Sequence, residues 1–373
     1  MVDRRVAVKA ALMLLALLPV APAAAQDAER MRETEAVLKT LVESYGVSGA
    51  EAPVRDAVRR LLPPWARPRV DSAGNLWVTV GRGEPTVVFV AHLDEVGFEV
   101  TAIGEDGILE VVRQGGIFPR LWAGRPALVH HGGRAPVSGV FLPLDTATGS
   151  ADSLPASADS LPLRVDVGVT DRPRVEAMGI RIGSTVTSPK EYVRLAGERV
   201  TARSFDDRVG SAAQVMALRR LDPAGLRHTV IFLWSVREEI GLEGAREAAR
   251  ALGLRPARVH AVDTFVSADS PLEVGTFAVA PLGAGPVARA LDNSSITPPA
   301  LLDSLVTVAA SRAIPLQVGT TNGGNDGSAF AEWGVPDVPI GWPIRYSHSP
   351  VEVADLRDVA WLAELVQAVA EDW

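Results

Sequence analysis

Val87-Val88-Phe89-Val90-Ala91-His92-Leu93-Asp94-Glu95-Val96-Gly97 is the stretch on which the fold turns. Its five opening apolar residues leave no polar face, the pattern of a strand covered on both sides. The polar cluster that follows stands at the carboxyl end of that strand, where open α/β sheets place their sites. On the N-terminal side, amphipathic helices are predicted over 28–45 and 49–62, the second with Val54, Val58, Leu61 and Leu62 on one face. The turn Asp71–Asn75 then leads into a strand at 76–80. On the C-terminal side, strands predicted at 229–235, 259–262, 316–318 and 338–341 alternate with helices at 208–221, 242–252, 299–312 and 355–371. Such alternation predicts an α/β fold, a mostly parallel but mixed sheet flanked by helices.

Residues 100–198 have a different texture. Short alternating segments rich in Gly and Pro predict a small β-rich domain, with one short helix at 175–179, inserted into the α/β domain. The α/β domain is thereby split into 26–99 and 199–373. Within the insert, 145–162 carries Ala-Asp-Ser-Leu-Pro twice, at 151–155 and 158–162. The repeat is too short to be an architectural unit, and the segment reads as a mobile loop.

The length of 373 residues suits about two domains. With 45 Asp+Glu against 37 Lys+Arg and a net charge of −8, the chain lacks the basic footprint of a nucleic-acid binder. The absence of Cys excludes disulfides, thiolate nucleophiles and Cys-ligated metals. Metal chemistry must then come from carboxylates and from six His, at 92, 130, 131, 228, 260 and 348. Arg4, Arg5 and Lys9 precede the apolar run Ala10–Val20 and the small residues Ala21–Ala25. That order is the pattern of a secretory signal peptide over 1–25, so export to the periplasm or the medium is expected. The apolar core is too short to span a bilayer, and no other stretch is long enough, so the mature chain is expected to have no membrane span.

Several polar clusters stand where predicted strands end or helices begin. In the extended segment after 87–91, positions i and i+2 point the same way, so Asp94 can reach the His92 imidazole and fix its tautomer. Asp206-Asp207 opens a helix, where carboxylates also serve as caps, and spacing alone does not separate their roles. Glu238-Glu239 follows an apolar strand; metal-assisted hydrolysis needs one carboxylate on a metal and another free to take a proton. Asp263 follows the strand 259–262, and His348 lies in a loop beyond 338–341. Each has an ordinary structural reading by itself. Together, two His and three carboxylates are what two zinc-like ions need when one carboxylate bridges them. His130 and His131, beside Gly132-Gly133, read as turn residues, and His228 and His260 as packing residues. Gly323-Gly324 reads as a turn near the site. No phosphate-cradling loop is present, and no nucleophile elbow supports a triad built on Ser347 or Ser349.

The motifs Ala-His-Leu-Asp-Glu-Val-Gly (91–97), Arg-Ser-Phe-Asp-Asp-Arg-Val-Gly (203–210), Arg-Glu-Glu-Ile-Gly-Leu-Glu-Gly-Ala (237–245) and Arg-Tyr-Ser-His-Ser-Pro-Val-Glu (345–352) resemble those of the glutamyl/deblocking (tetrahedral) aminopeptidases. The resemblance extends to 45–49, 71–75 and 165–168. It implies a di-zinc aminopeptidase-like fold with an inserted PDZ-like domain, acting on peptide substrates by way of a water activated between two metal ions. By motif position it implies His92, Asp206 and Asp263 on one metal and Asp206, Glu239 and His348 on the other. Asp206 would bridge, Glu238 would be the general base and Asp94 would orient His92. Zinc is the expected ion, with cobalt and manganese as alternatives for an N/O site. Homo-oligomers built through the insert are implied, with a dimer or a dodecamer both open. Rival readings are a metal-dependent amidase or deacylase, a carboxypeptidase of the same clan, and a catalytically dead binding protein. The insert falls in the 114-residue interval between His92 and Asp206, which favours the aminopeptidase branch. N-terminal sequencing of protein recovered outside the cytoplasm should begin at Gln26; a start at Met1 would remove the signal-peptide reading.

Overall fold

The computed structural model describes residues 23–144, 163–252, 256–270 and 279–373. The expected segment 1–25 lies outside these residues except for Ala23–Ala25, which open the first helix, and the loop 145–162 lies wholly outside them. Among the described residues no helix is long and apolar enough to cross a membrane.

Among the described residues the main sheet has eight strands. In spatial order these are β1 (Arg69–Val70), β2 (Leu76–Gly81), β12 (Thr229–Ser235), β3 (Thr86–His92), β13 (Arg258–Val266), β16 (Ile340–Ile344), β14 (Val287–Leu291) and β15 (Gln317–Thr320). The central pairs β12–β3, β3–β13 and β13–β16 are parallel, whereas β2–β12 and β14–β16 are antiparallel. The expected mixed α/β sheet is borne out, and β3 shows why it was readable. Its alternate residues Val87, Phe89 and Ala91 enter one core with α1 (Ala23–Val42), α2 (Ala52–Leu61), α4 (Phe205–Arg220) and α7 (Leu356–Asp372). Val88 and Val90 enter a second core with α5 (Glu243–Leu252) and the 3-10 turn Asp326–Trp333. Every β3 side chain is buried. Of the remaining helices, α6 (Pro299–Ser311) packs beside β14 and α7.

Two expectations require correction. Asp263 does not follow its strand but lies inside it, because β13 leaves β3 after Ala261 and continues to Val266 against β16, pairing Asp263 with Gly341. The strand β14 was not anticipated; its sequence, Val-Ala-Arg-Ala-Leu, has a charged residue at its centre.

The inserted β-rich region is a closed barrel. Its strands β4 (Gly97–Ile103), β5 (Leu109–Gln114), β6 (Pro126–His130), β7 (Val137–Phe141), β8 (Leu163–Asp166) and β9 (Thr185–Thr187) are joined in the order β4-β5-β8-β7-β6-β9. They enclose a separate core built on Phe98, Trp122, Phe141 and Val165. The short helix α3 (Arg172–Ala177) starts at the cap Asp171, slightly earlier than its sequence suggested. The returning chain, β10 (Val193–Arg194) and β11 (Arg199–Ala202), forms a three-stranded sheet with the C-terminal β17 (Glu352–Asp355). Residues 193–202 therefore pair with the α/β domain and not with the barrel.

The two bodies meet around Glu95, which is fully buried just before the barrel begins. Its carboxylate lies 2.5 Å from Lys190 Nζ on the returning chain, 3.3 Å from Arg203 Nη2 and 3.4 Å from Arg208 Nη2 at the start of α4. It also accepts from the Gly46 N–H at 2.9 Å and from the Ser204 hydroxyl. Burial alone would raise its pKa, but Arg203, Lys190 and Arg208 hold the carboxyl well below the usual range. Removing one member of such a buried charged cluster costs about 3–5 kcal/mol because the remaining charges stay uncompensated. Glu95→Gln should therefore lower the urea midpoint sharply at neutral pH. The wild-type contribution is complete above the ordinary Glu pKa and is lost as pH falls through the depressed folded value, so the gap between the two proteins should narrow in acid. Equal midpoints at pH 7 would refute the role given to Glu95.

Candidate active site

Parallel strands deliver their carboxyl ends to one edge of the sheet, and the candidate residues converge there. His92 ends β3 and is paired in register with Ser235, the last residue of β12. Three residues beyond Ser235 stands Glu238, followed by Glu239. Ala261 pairs with Val90, so Asp263, two residues on, is in step with His92. His348 lies beyond β16 with a positive φ of 59°, which turns the loop back towards the sheet. Asp206 stands at the start of α4, where Asp206 and Asp207 depart from helical dihedrals.

The side chains close on a cavity of about 390 Å³. His92 Nε2 is 3.0 Å from Asp206 Oδ1, and His348 Nε2 is 3.3 Å from both Asp206 Oδ2 and Glu239 Oε2. Glu238 Oε2 lies 4.0 Å from His92 Nε2. Two groups, His92/Asp206/Asp263 and Asp206/Glu239/His348, each present ligand atoms within 4.8 Å of one another and could hold a metal ion. Asp206 belongs to both and Asp207 to neither. The Asp207 carboxylate instead accepts from the Gly210 N–H at 2.9 Å and the His92 N–H at 3.3 Å, the capping use that its position at a helix start suggests.

Asp94 holds more than the imidazole. Its Oδ1 is 3.6 Å from His92 Nδ1, which also lies 3.2 Å from the Asp94 carbonyl oxygen. The same carboxylate accepts from the Glu238 N–H at 2.9 Å, the Glu239 N–H at 3.1 Å and the Ser48 hydroxyl at 2.6 Å. One buried group thus fixes both the histidine and the turn that carries the two glutamates.

Buried acids this close raise one another's proton affinity. Glu238 is pushed well up, first by burial and then by Asp263, Asp326 and Glu239, against the opposing pull of His92. Asp263 is pushed up to about 6 by burial and Asp206, with Arg289 and His92 pulling the other way. Asp206 goes the opposite way: burial is outweighed by His348 and His92, which hold it well below the usual range. His92 stays well above its ordinary value because Asp206, Asp94 and Glu238 overcome burial. Excess negative charge in a largely buried pocket favours a divalent cation. Glu239 Oε1, buried without a hydrogen-bond partner, is an oxygen left over for one. The donors are imidazole nitrogen and carboxylate oxygen, a set that suits zinc and its first-row neighbours.

A family model described as M42 glutamyl aminopeptidase matches residues 74–365. The chain belongs to that family. It is 34% identical to the lysyl aminopeptidase of Pyrococcus furiosus over 346 residues, covering 90% of this chain and 96% of the relative. It is 29% identical to the glutamyl aminopeptidase of Lactococcus lactis over 343 residues, covering 89% and 94%. Among solved structures, the Pyrococcus horikoshii TET1 peptidase, described as assembling into a tetrahedron or a large octahedral shell, superposes with a TM-score of 0.82. Its identity is 32%, with 91% of this chain and 100% of that one covered. The resemblance read from the four motifs is borne out: this M42 chain is a metallo-aminopeptidase, a hydrolase of peptide bonds.

Several residues of this M42 site escaped the sequence reading. Glu352, quoted within the last motif but given no role, accepts from the Phe205 N–H at 2.6 Å and the His348 N–H at 2.9 Å, so it ties the Asp206 turn to the His348 loop. Its spacing of four from His348 was the available signal. Arg289, on the unforeseen β14, sits 3.6 Å from Asp263 and 3.0 Å from Asp292. Asp326 accepts from the Ser235 hydroxyl and is pushed up to about 7, mainly by burial. Arg289 stands out only as a charge within an apolar segment, which names no partner, and Asp326 lies in a polar, glycine-rich turn like its neighbours. Among the other histidines, His260 packs as expected, stacking on Phe89 and held to about 3 by burial, whereas His130 is not a turn residue: it ends β6, pairs with Thr185 and meets Thr187 at 2.8 Å. Partners that orient a metal-bound histidine are typically worth about 10–100-fold in affinity or activity. Asp94→Asn should accordingly lower zinc affinity and kcat/KM by about that factor, with Ser48→Ala acting in the same direction and less. Unchanged zinc affinity in Asp94→Asn would contradict the positioning role.

Proposed function

We propose that the chain is a co-catalytic di-metal aminopeptidase that removes N-terminal residues from peptides. The observation that carries this is the double membership of Asp206, one carboxylate facing His92 through one oxygen and His348 through the other. His92, Asp206 and Asp263 would hold one ion, and Asp206, Glu239 and His348 the second. When bound, the two ions supply Lewis acidity to polarise the scissile carbonyl and to acidify water. Glu238 stands beside both groups without belonging to either, which leaves its carboxylate free for proton transfer. It takes the proton of the attacking water and delivers it to the leaving amine. Asp94 keeps Glu238 in place through its backbone N–H and keeps His92 in one tautomer. Zinc is the ion we assign, with cobalt and manganese as alternatives that the same donors accept. The order of basic and apolar residues before Ala25 supports an exported enzyme. Self-association is supported by the assembling relatives.

Stripping the protein with a chelator should abolish release of N-terminal residues, and zinc should restore it at two ions per chain. Glu238→Gln should retain both ions while losing about 10²–10⁴-fold in kcat. Near-normal turnover in that variant would remove Glu238 from the mechanism, and full activity after verified metal removal would overturn the proposal as a whole.

A further inference from the structure

The barrel reaches into the site. Between β5 and β6 the segment Gly115-Gly116-Ile117-Phe118 leaves the barrel and borders the cavity. The Gly116 carbonyl oxygen lies 3.0 Å from His348 Nδ1, the ring nitrogen turned away from Asp206 and Glu239. The approach is close enough that any side chain here would press on the imidazole. A Cβ on Gly116 would lie 3.0 Å from His348 Nδ1 and 3.4 Å from its Cε1. Gly115, at φ +95°, has room for no Cβ either, with Val96 Cγ1 at 2.7 Å and Glu239 Cβ and Oε2 both at 3.3 Å. Two successive residues of the insert thus abut two of the three donors of one candidate metal group. The segment is also anchored in the barrel: Ile117 and Trp122 are buried in its core, and Arg113 on β5 donates to the Ile117 carbonyl at 3.0 Å.

We propose that this barrel loop is a positioning element of the Asp206/Glu239/His348 group. Its Gly116 carbonyl accepts from His348 Nδ1–H and so presents Nε2 to the ion, while Gly115 packs on Glu239. A histidine that donates one ring N–H to a fixed acceptor has its tautomer and its orientation set. Here the acceptor belongs to the inserted domain, whereas the groups beside His92 Nδ1 are the carboxylate and carbonyl oxygens of Asp94, outside that loop. The barrel is then part of the catalytic centre and acts on one of its two ions. The inference rests on the di-metal reading proposed above.

Zinc titration of the metal-free full chain tests it. In wild type two ions should bind. In Gly116→Ala and Gly115→Ala the affinity of one ion should fall about 10–100-fold, as for loss of an orienting partner, while the other stays within about twofold. Gly124→Ala, also in the insert at a positive φ of 74° but with open space around it, controls for backbone strain and should bind both ions as wild type does. Arg113→Ala adds no atom to the packed loop and serves if the alanine variants do not fold; it should weaken the same ion by a smaller factor. Two undisturbed ions in Gly116→Ala and Arg113→Ala, or equal loss of both ions, would overturn the proposal. A wild-type chain that binds no stoichiometric zinc would instead overturn the di-metal reading beneath it, so the two failures are distinguishable.

Discussion

One buried carboxylate, Glu95, governs how the molecule is joined. It stands three residues after His92, at the passage from sheet to barrel, and gathers Lys190 from the returning chain with Arg203 and Arg208 from the approach to α4. A charged cluster without water is stable only when its members are mutually compensated and hydrogen-bonded. That requirement fixes the crossing points of three chain segments relative to one another. Asp206 lies between Arg203 and Arg208, so its position is set by the same cluster that sets the barrel's entry and exit. Arg208 reinforces this by donating to the carbonyls of Leu93 and Asp94.

The site itself is organised by surplus negative charge. Asp94, Asp206, Glu238, Glu239 and Asp263 converge on two histidines, with Asp326 and Glu352 close behind. Burial and neighbouring carboxylates raise Glu238, Asp263, Asp326 and Glu352, the last to about 8, whereas Asp206, the shared donor, is drawn strongly down by both imidazoles. This asymmetry follows from geometry. Asp206 has a histidine at each oxygen, whereas Glu238, Asp263 and Asp326 lie among other carboxylates and Glu352 lies beside Asp206. The acidic balance of the composition therefore has a local meaning at the sheet edge, where cations would offset it.

Much of this was legible along the chain because its causes are local. A run such as Val87–Ala91 has the pattern of a strand covered on both faces, and the motifs sit where predicted strands end or a helix begins. The capping use of Asp207 was one of two readings open from spacing, and the close approach of His92 and His348 to its neighbour Asp206 separated them. What was not legible depends on neighbours distant in sequence. The extension of β13 past Asp263 is set by pairing with β16. Arg289 is a lone charge in an apolar strand until Asp263 and Asp292 are placed beside it. Glu352 acquires a role only when β17 returns to β11.

By itself, the sequence determined the fold class, the family, the presence of an insert and the residue types available for chemistry, since hydrophobic periodicity, turn residues and motif order are properties of short segments. Spacing alone left the two aspartates of the pair unseparated, motif resemblance pointed to Asp206, and the tertiary structure puts both histidines on Asp206 and shows that Asp94 holds the Glu238–Glu239 turn as well as His92. It also decided that the inserted barrel places the Gly116 carbonyl against His348. These are distances between groups up to 232 residues apart, set by how a buried sheet, a charged junction and a closed barrel pack together.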